Sequence, residues 1–239
     1  MEEKQSNLVV AADVRTKREL LNLAEQVGPE ICFLKTHMDI INDFDWDLII
    51  QLKKIAEKHH FLIIEDRKCA DIGSTVQAQY TNGIYKYVEW ADLITVHAIC
   101  GLETIKALEI AARDYSQLRG ALLIAELSCE NNLIDSKYTQ RVIEMAKNSS
   151  FVVGFIAQED VGNPAFLTFT PGISITQIKD DLGQRYTSPD CAICSKGVDL
   201  IIVGRAIYKA SDPRKHAQEY RKVAWSAYEK RLLKEANDN

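Results

Sequence analysis

Short apolar runs rich in Val, Ile and Leu recur along this chain, separated by longer amphipathic stretches. No other feature constrains the fold as strongly, because runs fit for burial on both faces belong in a parallel sheet covered by helices. Strands are expected at 8–12 (LVVAA), 31–36 (ICFLKT), 61–66 (FLIIED), 92–97 (DLITVH), 121–126 (ALLIAE), 151–156 (FVVGFI), 166–170 (FLTFT) and 200–204 (LIIVG). Between them, KRELLNLAEQVG sets Leu20, Leu21, Leu23, Ala24 and Val27 on one helical face, with Gly28 as a stop. The same logic predicts helices over 45–59, 74–88, 101–114 and 137–148, and a last one over 213–233. Glycines and prolines interrupt 157–197, which reads as functional loops around the seventh strand.

Eight strands with intervening helices favour a closed (β/α)8 barrel, the TIM barrel, over an open Rossmann sheet, and the GxGxxG phosphate fingerprint is missing. The 239 residues fit one such barrel spanning 1–239 as a single domain. Barrel enzymes build their sites at the C-terminal ends of the strands, so polar residues should gather there. They do: Asp13 follows strand one, Lys35 and His37 end strand two, and Asp66 and Lys68 end strand three. His97 ends strand four, Ser128 follows strand five, and Arg205 follows strand eight. His97 reads as a satisfied core or rim histidine.

A net charge of −5 provides no global field for nucleic acid or an anionic membrane, so an anionic ligand must be held locally. No apolar run approaches membrane-spanning length, and the acidic start MEEKQSNLVVAAD lacks the pattern of a secretory signal. Six cysteines, mostly inside apolar segments, suggest reduced thiols in the cytoplasm. Cys191 and Cys194 form a CxxC with no second pair and no flanking histidine, which reads as two thiols near a loop rather than a metal site.

The stretch FLIIEDRKCADIGSTV concentrates charge where an apolar strand ends. Asp66 and Lys68 point to one side of a continuing extended chain, and Asp71 returns through the loop. Taken alone, DxKxxD reads first as a solvated loop of ion pairs. Lys35, ending the apolar strand CFLKTH, weighs against that, since an unpaired Lys is rarely buried. The backbone after strand eight of a barrel commonly cradles phosphate, and Arg205 offers a fork of donors to its oxygens.

The set AADV, GPEICFLKTHMDIINDF, FLIIEDRKCADIGSTV, WADLITVH, LLIAELSC, FVVGFIAQ, TPGI, LGQRY and DLIIVGRAIY resembles, in order and spacing, the orotidine 5'-monophosphate decarboxylase family. The form is that of fungi and of the C-terminal half of animal UMP synthase. The resemblance implies decarboxylation of orotidine 5'-monophosphate to UMP and CO2 in pyrimidine biosynthesis, without metal or organic cofactor. It assigns Lys35, Asp66, Lys68 and Asp71 to an alternating charge network. It implies a homodimer in which Asp71 and Thr75 reach the neighbouring subunit's site. Asp13 and His37 match positions around the ribose, and Ser128 matches a pyrimidine contact. Pro171 of TPGI joins the substrate contacts, and Gln184, Tyr186, Gly204 and Arg205 match the phosphate grip. Two residues depart from the pattern: Ala11 stands where many relatives have Ser, and Cys69 replaces a common Phe. The resemblance implies no nucleic-acid or membrane partner.

The chemistry explains the charges. Loss of CO2 from C6 leaves an electron pair in the ring plane, where the π system cannot spread it, so an external ammonium must stabilise it. Lys68 is expected to do so and to supply the proton. On the resemblance, Asp66 is expected near the departing carboxylate, and Asp71 and Lys35 are expected to keep the lysine charged and oriented. The alternatives are a metal-dependent sugar-phosphate decarboxylase or aldolase of the same barrel group, and an inactive nucleotide-binding barrel.

Overall fold

The alternation closes on itself. In the computed structural model, which describes residues 1–176 and 186–238, eight strands form a closed barrel in chain order, every neighbouring pair parallel. They are β1 (Leu8–Ala11), β2 (Phe33–Thr36), β3 (Leu62–Cys69), β4 (Leu93–His97), β5 (Gly120–Ile124), β6 (Val152–Ile156), β7 (Leu167–Thr170) and β8 (Leu200–Val203). Pairing of β1 with β8 completes the ring.

Helices α1 (Lys17–Val27), α2 (Trp46–His59), α3 (Gly73–Thr81), α4 (Leu102–Ala112) and α5 (Ser136–Ala146) each follow one of the first five strands. β6 passes to β7 without a helix, and β8 leads into α6 (Arg205–Tyr208) and α7 (Pro213–Asp238). Local chemistry sets the starts. Thr16 and Glu19 form a reciprocal capping box at α1, while Asp45 and Asp135 accept from the backbone N–H groups of Leu48 and Tyr138 at α2 and α5. None of these helices is long and apolar enough to cross a membrane.

Strand alternation sorts the core into two layers. Val9, Phe33, Ile64, Leu122, Phe169 and Leu200 fill the inside of the barrel, where Phe33 and Phe169 meet edge to face at 5.2 Å. Their neighbours Leu8, Leu34, Ile63, Leu123 and Ile201 belong to the outer layer with Leu20, Leu48 and Leu108 of the helices. Fully burying one such side chain contributes about 1.5–3 kcal/mol. An exposed pair such as Lys106 with Glu103 contributes at most about 1 kcal/mol, so packing decides the fold.

Two expectations are corrected. The helix predicted over 74–88 stops at Thr81, because Asn82 and Gly83 turn the chain, with Gly83 at φ 71°. A short 3₁₀ turn at Tyr87–Glu89 replaces its remainder. Strand three does not end at Asp66 but runs to Cys69, so Asp66 and Lys68 lie within the strand and Asp71 beyond its end.

Candidate active site

Lys35, Asp66 and Thr95 continue the inward rows begun by Phe33, Ile64 and Leu93 on three adjacent strands, which brings them to the C-terminal mouth of the barrel. Asp66 is the hub. Its Oδ2 lies 2.7 Å from Lys35 Nζ and 3.3 Å from His37 Nε2. Its Oδ1 lies 2.8 Å from Lys68 Nζ and accepts from Thr95 Oγ1 at 2.8 Å. His37 Nε2 is also 3.2 Å from Lys35 Nζ and 3.9 Å from Asp13 Oδ1.

Burial divides this cluster into a foundation and an arm. The side chains of Lys35 and Asp66 are 9% and 10% exposed, whereas that of Lys68 is 39% exposed. Burial opposes the charge of Lys35, yet the carboxylates of Asp66 and Asp13 outweigh it and lift its pKa above the usual lysine value. Burial alone would likewise raise Asp66; Lys35, His37 and Lys68 instead hold it well below the ordinary carboxylate range. The foundation is therefore a fixed ion pair, and Lys68 is the cation that a ligand can reach.

Lys68 does not reach that place by simple alternation. Four steps along β3 from Glu65 to Cys69 match two along β4 from Ile94 to Val96, so β3 bulges. Lys68 itself has φ 52°, a left-handed conformation that costs a non-glycine residue about 1–2 kcal/mol. Thr95 offsets the cost: its Oγ1 accepts from Lys68 N at 2.9 Å while donating to Asp66. One hydroxyl thus ties the backbone of Lys68 to the carboxylate that its ammonium meets.

Beside this cluster a cleft of about 210 Å³ is lined by Ala11, Asp13, Lys35, Pro171, Tyr186, Gly204 and Arg205. Arg205 Nη2 donates to Tyr186 Oη at 2.8 Å, so the residues after β7 and β8 meet across it. Ala11 forms part of the wall without a hydroxyl. A larger groove of about 530 Å³ opens beside Gln5, Glu30 and Arg221. There Arg221 binds Glu30 at 2.8 Å and the carbonyl of Lys4 at 2.7 Å, a clasp at the N-terminal face of the barrel, where structural roles are usual.

Residues 6–220 match the family described as Orotidine 5'-phosphate decarboxylase / HUMPS family. The chain belongs to that family. A relative named orotidine 5'-phosphate decarboxylase from Eremothecium gossypii is 47% identical over 240 residues, covering 97% of this chain and 90% of that protein. A protein of the same name from Aureobasidium pullulans is 50% identical over 230 residues, covering 95% of this chain and 84% of its own. The crystal structure of orotidine 5'-monophosphate decarboxylase from Methanocaldococcus jannaschii complexed with inhibitor BMP superposes with a TM-score of 0.70 at 22% identity. That match covers 92% of this chain and 98% of the other, and bears on the fold alone.

The residues that the family resemblance singles out are not all brought together. Asp13, Lys35, His37, Asp66 and Lys68 converge at the mouth, and Pro171, Tyr186, Gly204 and Arg205 share the cleft. Ser128 is buried four residues beyond β5, on the same side of the barrel. Gln184 lies outside the described residues. Asp71 and Thr75 do not join the cluster of their own chain. Asp71 Oδ1 accepts from the N–H of Ile72 at 2.8 Å, and its Oδ2 from Gln79 Nε2 at 3.1 Å. Thr104 Oγ1 donates to the Asp71 carbonyl at 2.8 Å, and Thr75 is exposed on α3.

Two polar residues of the inner architecture carry no sequence expectation. Thr95 is one; a hydroxyl two residues before His97, on the inward row of an otherwise apolar strand, was its signal. Glu65 is the other, a fully buried acid directly before Asp66. His97 stands half-buried at the rim, at the end of β4, within the core-or-rim expectation. Burial, and next the charge of Lys68, push its pKa down.

Proposed function

We infer that this chain is a carboxy-lyase that converts orotidine 5'-monophosphate to UMP and CO2, the decarboxylating step of pyrimidine biosynthesis. The observation that carries the reading is the alternation of Lys35, Asp66 and Lys68 at the barrel mouth, with a buried pair beneath a reachable ammonium. Relatives of that name, 47% and 50% identical across nearly the whole chain, support it.

The nucleotide spans mouth and cleft, its phosphate toward Arg205, Tyr186 and Gly204 and its pyrimidine toward Lys68, with Ser128 and Pro171 contacting the base side; the family resemblance adds Gln184 to the phosphate contacts. Asp13 and His37 hold the ribose between them. When the bond from C6 to the carboxylate breaks, the electron pair stays on C6 in the ring plane. The ammonium of Lys68 stabilises it and then donates a proton to C6, leaving UMP; the neutral amine regains its proton from solvent. Because that charge exists only as the bond breaks, the gain falls on the transition state. Asp66 fixes Lys68 by one oxygen and Lys35 by the other, so neither cation reorients during the reaction. Metal ion and organic cofactor have no part in this scheme.

We assign the functional unit as a homodimer of single-barrel chains, 1–239, in the cytoplasm, with no nucleic-acid or membrane partner. Asp71 and Thr75 serve the partner's site. The holding of the Asp71 carboxylate by Gln79 rather than by its own chain's Lys68 supports this, as do the exposed Ile72 and Ile99.

The test is the ultraviolet absorbance change on mixing with orotidine 5'-monophosphate, followed with and without EDTA. Turnover insensitive to EDTA is expected. Activity abolished by EDTA and restored by magnesium would favour the metal-dependent sugar-phosphate chemistry, and tight UMP binding without turnover would favour an inactive barrel.

A further inference from the structure

Glu65 is 0% exposed and lies on β3 with its side chain on the opposite face from Asp66, in the layer between barrel and helices. Its carboxylate accepts from Thr36 Oγ1 at 2.7 Å and from the Met38 N–H at 3.0 and 3.2 Å. These two donors belong to the residues on either side of His37. The turn that carries His37 off the end of β2 is therefore gripped on both flanks by one acid from β3. Above that grip, the His37 ring lies 3.2 Å from Lys35 Nζ and 3.3 Å from Asp66 Oδ2.

An acid in such a place is expensive for the fold, because a buried carboxylate loses its hydration and an apolar residue of similar volume would fill the space more cheaply. Burial pushes the Glu65 pKa up to about 8, the direction that such a cost gives. What the acid supplies, and an apolar residue cannot, is a pair of polar oxygens within hydrogen-bond reach of the two groups that bracket one side chain of the site.

We propose that Glu65 is a positioning residue, which holds the His37 turn against the barrel mouth and so sets the His37 ring against Lys35, Asp66 and the substrate. The proposal rests on the reading of His37 as a ribose contact. Glu65 touches no substrate; it acts through His37.

The test is a double-mutant cycle on the whole enzyme, measuring kcat and KM for orotidine 5'-monophosphate and the Kd of UMP. His37→Ala alone should raise KM and the UMP Kd on the order of tenfold, the worth of one hydrogen bond to a charged or strongly polar group. Glu65→Ala should raise them by a similar factor with a smaller change in kcat. The two together should be little worse than either, because both remove the same contact. Glu65→Gln should recover most of the loss. Its Oε1 still accepts from Met38 N, and its amide donates to Thr36 Oγ1, which can turn its own proton to the Ile64 carbonyl, 3.4 Å away. If Glu65→Ala does not fold, Thr36→Val cuts one of the two ties and should show a weaker form of the same non-additivity. Losses that multiply between position 65 or 36 and His37→Ala would reduce Glu65 to a structural acid and overturn the proposal. A His37→Ala enzyme with unchanged KM and Kd would remove the ribose reading itself, and the proposal with it.

Discussion

Asp71 gives its carboxylate to Gln79 rather than to Lys68: Gln79 Nε2 donates to Asp71 Oδ2 at 3.1 Å, and among the described residues Asp71 makes no ion pair. The shared-site proposal gives this charge to a second chain, which makes the assembly testable. Lys68→Ala and Asp71→Asn should each be nearly inactive alone. In a mixed dimer, one site combines intact Lys68 with intact Asp71 from the other chain, and the second site carries both lesions. Random exchange makes half the dimers mixed, so roughly a quarter of wild-type activity should return. Subunit exchange shown by a tagged chain, with no activity recovered, would reject sharing while leaving the decarboxylase reading to its own assay.

Lys68→Ala should lower kcat by on the order of a thousandfold or more, since it removes both the charge opposite the carbanion and the proton donor. UMP binding should persist. The fold should hardly notice, because Asp66 keeps Lys35, His37 and Thr95, and Lys68 is a partly exposed arm. Near-normal kcat would remove Lys68 from its assigned role.

Asp66→Ala should differ in kind. It strands Lys35, 9% exposed, without its 2.7 Å partner, and an uncompensated buried charge costs about 3–5 kcal/mol. Urea unfolding should therefore show a large loss for Asp66→Ala and about 1 kcal/mol or less for Lys68→Ala. Equal losses would mean that the foundation and the arm are not distinct.

Arg205→Ala should reduce kcat/KM for orotidine 5'-monophosphate on the order of a hundredfold, the worth of a charged hydrogen-bond pair to phosphate. For the nucleoside without phosphate the change should be small, because that substrate never used the contact. Equal losses for both would show that Arg205 acts elsewhere, for example by holding Tyr186, to which it donates at 2.8 Å.

What the sequence reveals follows from what the residues must do. Runs such as LIIVG announce strands because burial on both faces demands apolar residues throughout, and Lys35 announces a site because a charge has no other reason to end such a run. The placement of Lys68 was legible only in outcome. Alternation put it beside Asp66, but a bulge and a left-handed backbone put it there in fact. Thr95 was hidden because a hydroxyl in a β-strand is ordinary, and its meaning depends on register with β3. The helix over 74–88 failed because an apolar helical pattern continued past Asn82 and Gly83, where the turn chemistry won.

Glu65 gives the last prediction, in the pH dependence of stability. Its carboxyl sits near 4.5 in the unfolded chain, and burial raises it to about 8 in the folded one. Between these values the folded state binds the proton and the unfolded state does not. The group's contribution is therefore fully present below about pH 4.5 and is lost as pH rises through about 8. The titratable groups coupled to its charge are Asp39 from the turn after β2, Cys69 from β3 and Tyr87 from the turn before β4, and, across the strand, Lys35 and Asp66 on the inward face. All of them are kept in Glu65→Gln, so the difference between variant and wild type isolates the one carboxyl. Asp66, with its lowered pKa, loses its contribution only as the pH falls to acid values, and does so in both proteins. Urea unfolding at intervals from pH 5 to pH 9 should show Glu65→Gln gaining on wild type as the pH rises, with the gain levelling above about 8. A difference that stays flat across that range would mean that Glu65 is ionised throughout, its charge carried by Thr36 and Met38.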